Sequence, residues 1–197
     1  MRFKKFNDIE NIRHPKVEQQ PIQNYTGNIN EIDCPTPSKN TSAATKKEMV
    51  EMQGMFKQRN TAIEQSVKNH DAKSEYAIEK YLKENNLELN TKDTDKIIET
   101  GAAIAKKLKN KFERARPYQL AESIGMEFNS MPLESDSMKT PAYPSGHSLQ
   151  SRLIGEYYAE KYPDHREGLI DAADKCGMGR VFAGWHYPSD HNASVKL

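Results

Sequence analysis

The chain has 197 residues, a formal net charge of +1 and a mean hydropathy of −0.90. Its longest uninterrupted apolar run, residues 102–105, is far shorter than the roughly 20 residues of a membrane-spanning helix. The near-neutral charge gives no electrostatic argument for binding nucleic acid or an anionic membrane. No apolar segment follows the basic residues 1–5, so a secretory signal is not indicated. We therefore expect a soluble, cytoplasmic protein with no nucleic-acid partner and no membrane span.

Residues 1–44 differ in composition from the rest of the chain. They contain four of the ten prolines, and their apolar residues are scattered singly, without helical or strand periodicity. This pattern predicts an extended or disordered N-terminal arm at 1–44, followed by a folded domain at 45–197. The spaced isoleucines favour docking, either on the same chain or on a second subunit, so a homo-oligomer held by the arm is one expectation. Cys34 and Cys176 are too few for a disulfide scaffold. We interpret them as reduced thiols, with one bridge between them as the alternative.

Helical periodicity begins near Thr45, whose spacing to Glu48 fits a capping box. Met49 and Met52 then recur at helical intervals and are interpreted as core. Strand signals are weak, so the sequence predicts an all-α, compact bundle of about six to seven helices. Six further helices are predicted, near 63–67, from Asp71 to Asn85, from Asp93 to a terminating Pro117, after Gly146, from Pro163 to Phe182, and from Tyr187.

The segment from Lys109 to Pro117 is the first of three polar clusters. Lys109 and Arg116 lie seven residues apart, which places both on one side if the helix continues to Pro117. Charged helix faces are common, so a solvated basic surface is the alternative. The neighbouring cations are assigned to that solvated surface: Lys106, Lys107, Lys111 and Arg114.

The second cluster, Pro144-Ser145-Gly146-His147, immediately precedes an apolar helical pattern. Backbone N–H groups at a helix start, together with the helix dipole, favour anions and above all phosphate. His147 would then stand beside the anion as a proton donor. An ordinary turn with a serine N-cap is the alternative.

The third cluster contains Arg180, His186 and Asp190. If Pro188 begins a helix, the Asp190 carboxylate can accept the Nδ1 proton of His186 and leave Nε2 as a free base. Arg180 offers two parallel donors for a phosphoryl group. A purely structural histidine–carboxylate bond is the alternative. The remaining histidines are interpreted as structural: His14, His70, His165 and His191.

Together, the order and spacing of the three clusters resemble the tripartite signature of the type 2 phosphatidic acid phosphatase superfamily. That superfamily includes soluble class A nonspecific acid phosphatases, membrane lipid phosphatases and vanadium-dependent haloperoxidases. The resemblance covers residues 95–197. One position departs from it, since the family usually has serine before the third-motif arginine and this chain has Gly179.

The resemblance implies a phosphatase, most similar to the soluble acid phosphatases, that hydrolyses a small phosphate monoester without a metal or other cofactor. It implies that His186 attacks phosphorus and becomes phosphohistidine, that Asp190 orients His186, and that His147 protonates the leaving oxygen. The phosphate oxygens would be held by the remaining motif residues: Lys109, Arg116, Arg180, Ser145 and Gly146.

Two alternatives stay open. In a vanadium haloperoxidase the same residues would hold vanadate, with His186 as its ligand. In a catalytically silent assembly protein the fold would be kept and the arm at 1–44 would wrap a neighbouring subunit.

Overall fold

The computed structural model describes residues 6–16, 31–132 and 136–197. All the regular elements in this part of the chain are helical, which confirms the predicted all-α class. Its nine α-helices are α1 Phe6–Glu10, α2 Ala43–Phe56, α3 Thr61–Ala72, α4 Tyr76–Glu84, α5 Thr91–Phe112, α6 Pro117–Ile124, α7 Gly146–Lys161, α8 Arg166–Phe182 and α9 Pro188–Ser194. The count exceeds the predicted six to seven because α1 and α6 have five and eight residues, too few for a clear periodic pattern.

The prediction that Pro117 terminates the fourth helix was wrong. Helix α5 ends at Phe112, and Glu113 adopts the left-handed conformation with φ 49°. The residue before a proline is disfavoured in the helical region, and Arg116 is accordingly extended at φ −73°, ψ 155°. Pro117 is instead the first residue of α6, where its missing N–H costs nothing. Lys109 and Arg116 therefore belong to different elements.

Other predicted helix starts also differ from the structure, and Pro163 lies in a short 3₁₀ turn that precedes α8. Ser42, not Thr45, caps α2, since its Oγ accepts the backbone N–H of Thr45 at 3.1 Å. The Glu48 side chain therefore does not take part in capping α2. Asp71, predicted to begin a helix, lies near the end of α3 instead.

The centre of the molecule is the α7–α8 pair, which packs against α4 and α5. A side chain at Gly155 would place its Cβ 2.9 Å from that of Ala173, so the absence of one lets the two helices approach closely. Around this crossing the core is apolar and aromatic, and includes Ile78, Leu82, Ile154, Tyr158 and Leu169. The pair carries the second polar cluster and Arg180 of the third.

A second core cluster lies between α2, α6, α8 and α9. Met49 and Met52 are buried in it, as their periodicity predicted. Ile9 and Ile12 pack against the same cluster, and the Asn40 side-chain amide donates to both of their carbonyl oxygens at 3.0 Å. The described parts of residues 1–44 thus contact the helical core. Of the remaining isolated apolar residues of this segment, Ile32 packs against another buried cluster, whereas Val17, Ile22 and Ile29 lie outside the described residues, and the boundary at 44 stays a prediction.

Candidate active site

The three polar clusters, far apart in the sequence, meet at one place. The Ser145 N–H donates to the Asp190 carbonyl at 3.3 Å, and Ser194 Oγ donates to the Ser145 carbonyl at 2.9 Å, which joins the start of α7 to α9. Most of the predicted site residues have at most 5% of their surface exposed: Lys109, Arg116, Ser145, Arg180, His186 and Asp190. So many buried polar groups need mutual partners, and the contacts below supply them.

His186 is held by Asp190 through the contact that the sequence predicted. Its Nδ1 donates to Asp190 Oδ2 at 3.2 Å, and the same oxygen accepts the Tyr187 N–H at 2.9 Å. With the proton on Nδ1, the Nε2 lone pair is available, and it accepts from Arg116 Nη1 at 3.2 Å. Burial, together with the nearby Arg116 and Lys109 charges, lowers the pKa of His186 well below its ordinary value. His186 is therefore a neutral imidazole whose basic nitrogen points at a guanidinium.

Lys109 and Arg116 form the cationic surface in front of that nitrogen. Lys109 Nζ donates to the Pro141 carbonyl. Arg116 donates through Nε to the Thr140 carbonyl and through Nη1 to the Trp185 carbonyl, both at 2.9 Å. Burial and neighbouring cations lower the pKa of Lys109 well below its ordinary value and that of Arg116 to about 10. Backbone carbonyls thus satisfy donors that an anion would satisfy better.

Arg180 is the third buried cation, and its guanidinium stacks 4.4 Å from the Trp185 ring centroid. It binds Asp71 through Nη1 and donates through Nη2 to Ser137 Oγ at 2.6 Å. Its Nε is buried with no hydrogen-bond partner among the described residues. A buried N–H without an acceptor is costly, so this atom marks a place where a ligand oxygen would be stabilised.

Ser145 caps α7, and its Oγ accepts from Ser148 Oγ at 2.8 Å. Gly146 and His147 then form the first turn of this 16-residue helix, where backbone N–H groups and the helix dipole favour an anion. His147 Nε2 donates to the Asp71 carbonyl at 3.3 Å. Burial and the adjacent Arg180 charge lower the pKa of His147 to about 3. His147 is therefore neutral near pH 7.

Arg114, assigned from the sequence to a solvated basic surface, is instead buried, with only 2% of its side chain exposed. Its Nη1 donates to Asp190 Oδ1 at 2.6 Å and its guanidinium lies 3.9 Å from the Tyr187 ring centroid. Burial opposes its charge, but Asp190 and the other nearby anions more than compensate and raise the pKa of Arg114. The signal in the sequence was the Arg-x-Arg-Pro pattern: residues two apart in an extended segment before proline face the same region.

Asp71 and Glu48 were also missed, because they reach the site from α3 and α2, far from the three clusters in the chain.

The histidines interpreted as structural do make structural hydrogen bonds. His191 Nδ1 bonds Ser148 Oγ at 3.1 Å, and His70 Nδ1 donates to the Ser66 carbonyl at 2.7 Å. Over residues 6–16, 31–132 and 136–197, no three His, Cys, Asp or Glu side chains come together as a metal site would require.

Comparison with known sequences matches residues 97–197 to the PAP2 superfamily. A lipid A 1-phosphatase of Rhizobium johnstonii is 37% identical over 94 residues, which are 48% of this chain and 37% of that protein. A non-specific acid phosphatase of Providencia stuartii is 25% identical over 101 residues, 51% of this chain and 40% of that protein. The chain thus matches only about two fifths of the length of these curated relatives.

Among solved structures, a transmembrane PAP2-type phosphatidylglycerolphosphate phosphatase from Bacillus subtilis shares the fold. The TM-score is 0.53 at 17% identity, over 80% of this chain and 81% of that one. None of the helices described for the present chain has the length and apolar character needed to cross a bilayer. Because the family match covers more than half of the 197 residues and contains all three polar clusters, this chain belongs to the PAP2 superfamily.

Proposed function

We propose that the protein is a metal-independent phosphatase that hydrolyses phosphate monoesters through a phosphohistidine at His186. One observation carries the proposal: Asp190 holds the Nδ1 proton of His186, while Nε2 points at the Arg116 guanidinium 3.2 Å away. A neutral imidazole aimed at a buried cation is arranged to meet an electrophile that carries negative oxygens. The phosphatase activities of the superfamily relatives support the same reaction class.

In the first step, the phosphoryl oxygens replace the carbonyl groups now bound to Lys109 and Arg116, and one accepts the free N–H of Arg180. His186 Nε2 attacks phosphorus as the bond to the leaving oxygen breaks. That oxygen takes a proton from His147. Charge spreads over the equatorial oxygens in this transition state, which suits three cations fixed in place.

His147 must be protonated to act as the acid, yet burial and the Arg180 charge lower its pKa to about 3. A bound phosphate dianion offsets the cations that lower this pKa, so substrate binding itself favours proton uptake by His147. In the second step the neutral His147 removes a proton from water. The resulting hydroxide attacks phosphorus, the P–N bond breaks, and inorganic phosphate leaves with His186 restored.

The organic group of the substrate could be a lipid or a small water-soluble molecule. The relatives' names include a lipid A phosphatase and a non-specific acid phosphatase. We propose a phosphate monoester as the shared chemistry, with small water-soluble esters accepted in the manner of the acid phosphatases. A panel of nucleotide, sugar and detergent-dispersed lipid monophosphates distinguishes water-soluble substrates from lipid substrates.

The test is hydrolysis of that panel with and without EDTA and orthovanadate. We expect release of phosphate that survives EDTA and is blocked by vanadate, which mimics pentacoordinate phosphorus. Complete loss in EDTA, restored by zinc or magnesium, would contradict the metal-independent mechanism. If none of the esters in the panel is hydrolysed, the phosphatase assignment is contradicted.

A further inference from the structure

Glu48 connects helix α2 to the residues behind the catalytic histidine. Its Oε1 accepts the Ser189 N–H at 2.6 Å, and its Oε2 accepts from Ser189 Oγ at 2.9 Å and from Arg114 Nη2 at 3.2 Å. The carboxylate is only 13% exposed. Glu48 precedes the segment matched to the family, residues 97–197, and none of the three motifs contains it.

These contacts form a buried line in which three groups of alternating charge lead to the neutral His186. Glu48 binds Arg114, the other end of Arg114 binds Asp190 at 2.6 Å, and Asp190 binds His186. The exposed fractions of the Arg114, Asp190 and His186 side chains are 2%, 0% and 2%. Water therefore screens these charges weakly, and each strongly affects the next.

The charges of this line explain why a second carboxylate is needed. Arg114 alone would neutralise Asp190 and leave His186 beside a pair with no net charge. When His186 attacks phosphorus it retains its Nδ1 proton and becomes a cationic phosphoimidazolium. With Glu48 present, the two carboxylates and the one guanidinium sum to a single negative charge, which offsets this cation.

We propose that Glu48 is a positioning residue: by neutralising Arg114, it leaves the charge of Asp190 available to stabilise the cation that forms on His186. Its bonds to Ser189 also fix the first turn of α9, the turn that carries Asp190. This inference rests on the proposed phosphohistidine mechanism. It adds to that mechanism a residue from a helix outside the family motifs.

The test compares Glu48→Gln with wild type, using steady-state kinetics and rapid-quench measurement of phosphoenzyme formation. Glutamine keeps the shape and removes the charge. We expect kcat and the rate of phosphoenzyme formation to fall together by about tenfold, the effect of one pKa unit on the imidazole, with KM changed less than twofold. Glu51→Gln is the matched control, since Glu51 lies one turn further along α2, is 50% exposed and pairs with Lys47. It should match wild type in both rates.

Glu48→Asp keeps the charge on a shorter side chain and should retain more than half of the wild-type kcat. Unchanged phosphoenzyme formation in Glu48→Gln would overturn the proposal. If Glu48→Gln does not fold, as judged by thermal unfolding, Glu48→Asp decides: a tenfold or greater loss of kcat in a folded Glu48→Asp protein would contradict a role based on charge. Wild-type protein that forms no phosphoenzyme would instead contradict the proposed function, so the two failures are distinguishable.

Discussion

Behind His186, three charged side chains alternate in sign and bind one another; in front of it, three cations share one region. We call the first group, Asp190, Arg114 and Glu48, the nucleophile side, and the second, Lys109, Arg116 and Arg180, the phosphate side. The nucleophile side carries a net charge of −1 that matches the cation expected on His186. Contacts of 2.6–3.2 Å join its members to one another and to His186.

The phosphate side is organised differently. Asp71 is an anion bound to Arg180, while Lys109 and Arg116 donate to backbone carbonyls, which are dipoles and not charges. The pKa values of all three cations are lowered, mainly by burial. The comparison indicates that the charges of the nucleophile side are paired with one another, whereas two cations of the phosphate side contact only dipoles and would be stabilised further by an anion. Variants that alter one side at a time test that difference.

Replacing His186 by alanine removes the proposed nucleophile and leaves the three cations of the phosphate side in place. We expect kcat to fall by roughly 10⁴–10⁶, while orthophosphate still protects the protein against thermal unfolding. Steady-state assays and a thermal shift with phosphate check the two halves of this prediction. Loss of phosphate protection in a folded His186→Ala protein would show that the two sides do not act separately.

Replacing His147 by alanine removes the proposed acid between the two sides. For an alkyl phosphate we expect a loss of roughly 10²–10⁴ in rate, because the leaving alkoxide needs a proton. A nitrophenyl ester should suffer much less in the first step, since nitrophenolate leaves unprotonated. Rapid-quench kinetics on the two esters measure the difference, and equal losses would contradict the acid role.

The pH dependence of stability reports on the two buried histidines that lie beside the cations of the phosphate side. The pKa of His147 is lowered to about 3 and that of His186 is also lowered, against about 6.5 in an unfolded chain. As pH falls below about 6.5, the unfolded chain therefore binds protons that the folded protein does not. The free energy of unfolding should decrease by up to about 1.4 kcal/mol per pH unit for His147 alone.

Urea unfolding from pH 7 to pH 4 measures this slope, with and without orthophosphate. Bound phosphate offsets the cations and should flatten the slope by allowing His147 to take up its proton. A protein equally stable at pH 7 and pH 5 without phosphate would contradict neutral buried imidazoles.

Gly179→Ser restores the residue that the family usually carries and should have the smallest effect. A Cβ at this position would lie 3.6 Å from Val67 Cγ2, an ordinary contact, inside helix α8. Helix propensity alone predicts a gain of about 0.5 kcal/mol in stability, and a hydroxyl that reaches the phosphate should lower the inhibition constant for orthophosphate severalfold. Gly179→Ala is the control, since it should give the stability gain without tighter inhibition.

The sequence predicted the His186–Asp190 contact because the two residues lie four apart at the start of a helix. Lys109, Arg116 and Arg180 were grouped by the motif resemblance, and the structure buries all three although the helix expected to connect the first two ends at Phe112. Arg114 was misassigned because helical periodicity was extended to Pro117, whereas the chain leaves the helix at Glu113. Asp71 and Glu48 reach the site through contacts 109 and 66 residues apart in the chain. Such pairings depend on how α2 and α3 pack against α8 and α9, and no local pattern encodes that packing.

The central claim is that His186 carries the phosphoryl group, and the His147→Ala protein tests it most directly. After reaction with nitrophenyl phosphate, this variant should accumulate phosphoenzyme, because hydrolysis lacks its base. Mass-spectrometric mapping of the quenched protein should place one acid-labile, base-stable phosphoryl group on the peptide containing His186. Phosphate on another residue, or a nitrophenol burst with no phosphorylated peptide, would contradict the account.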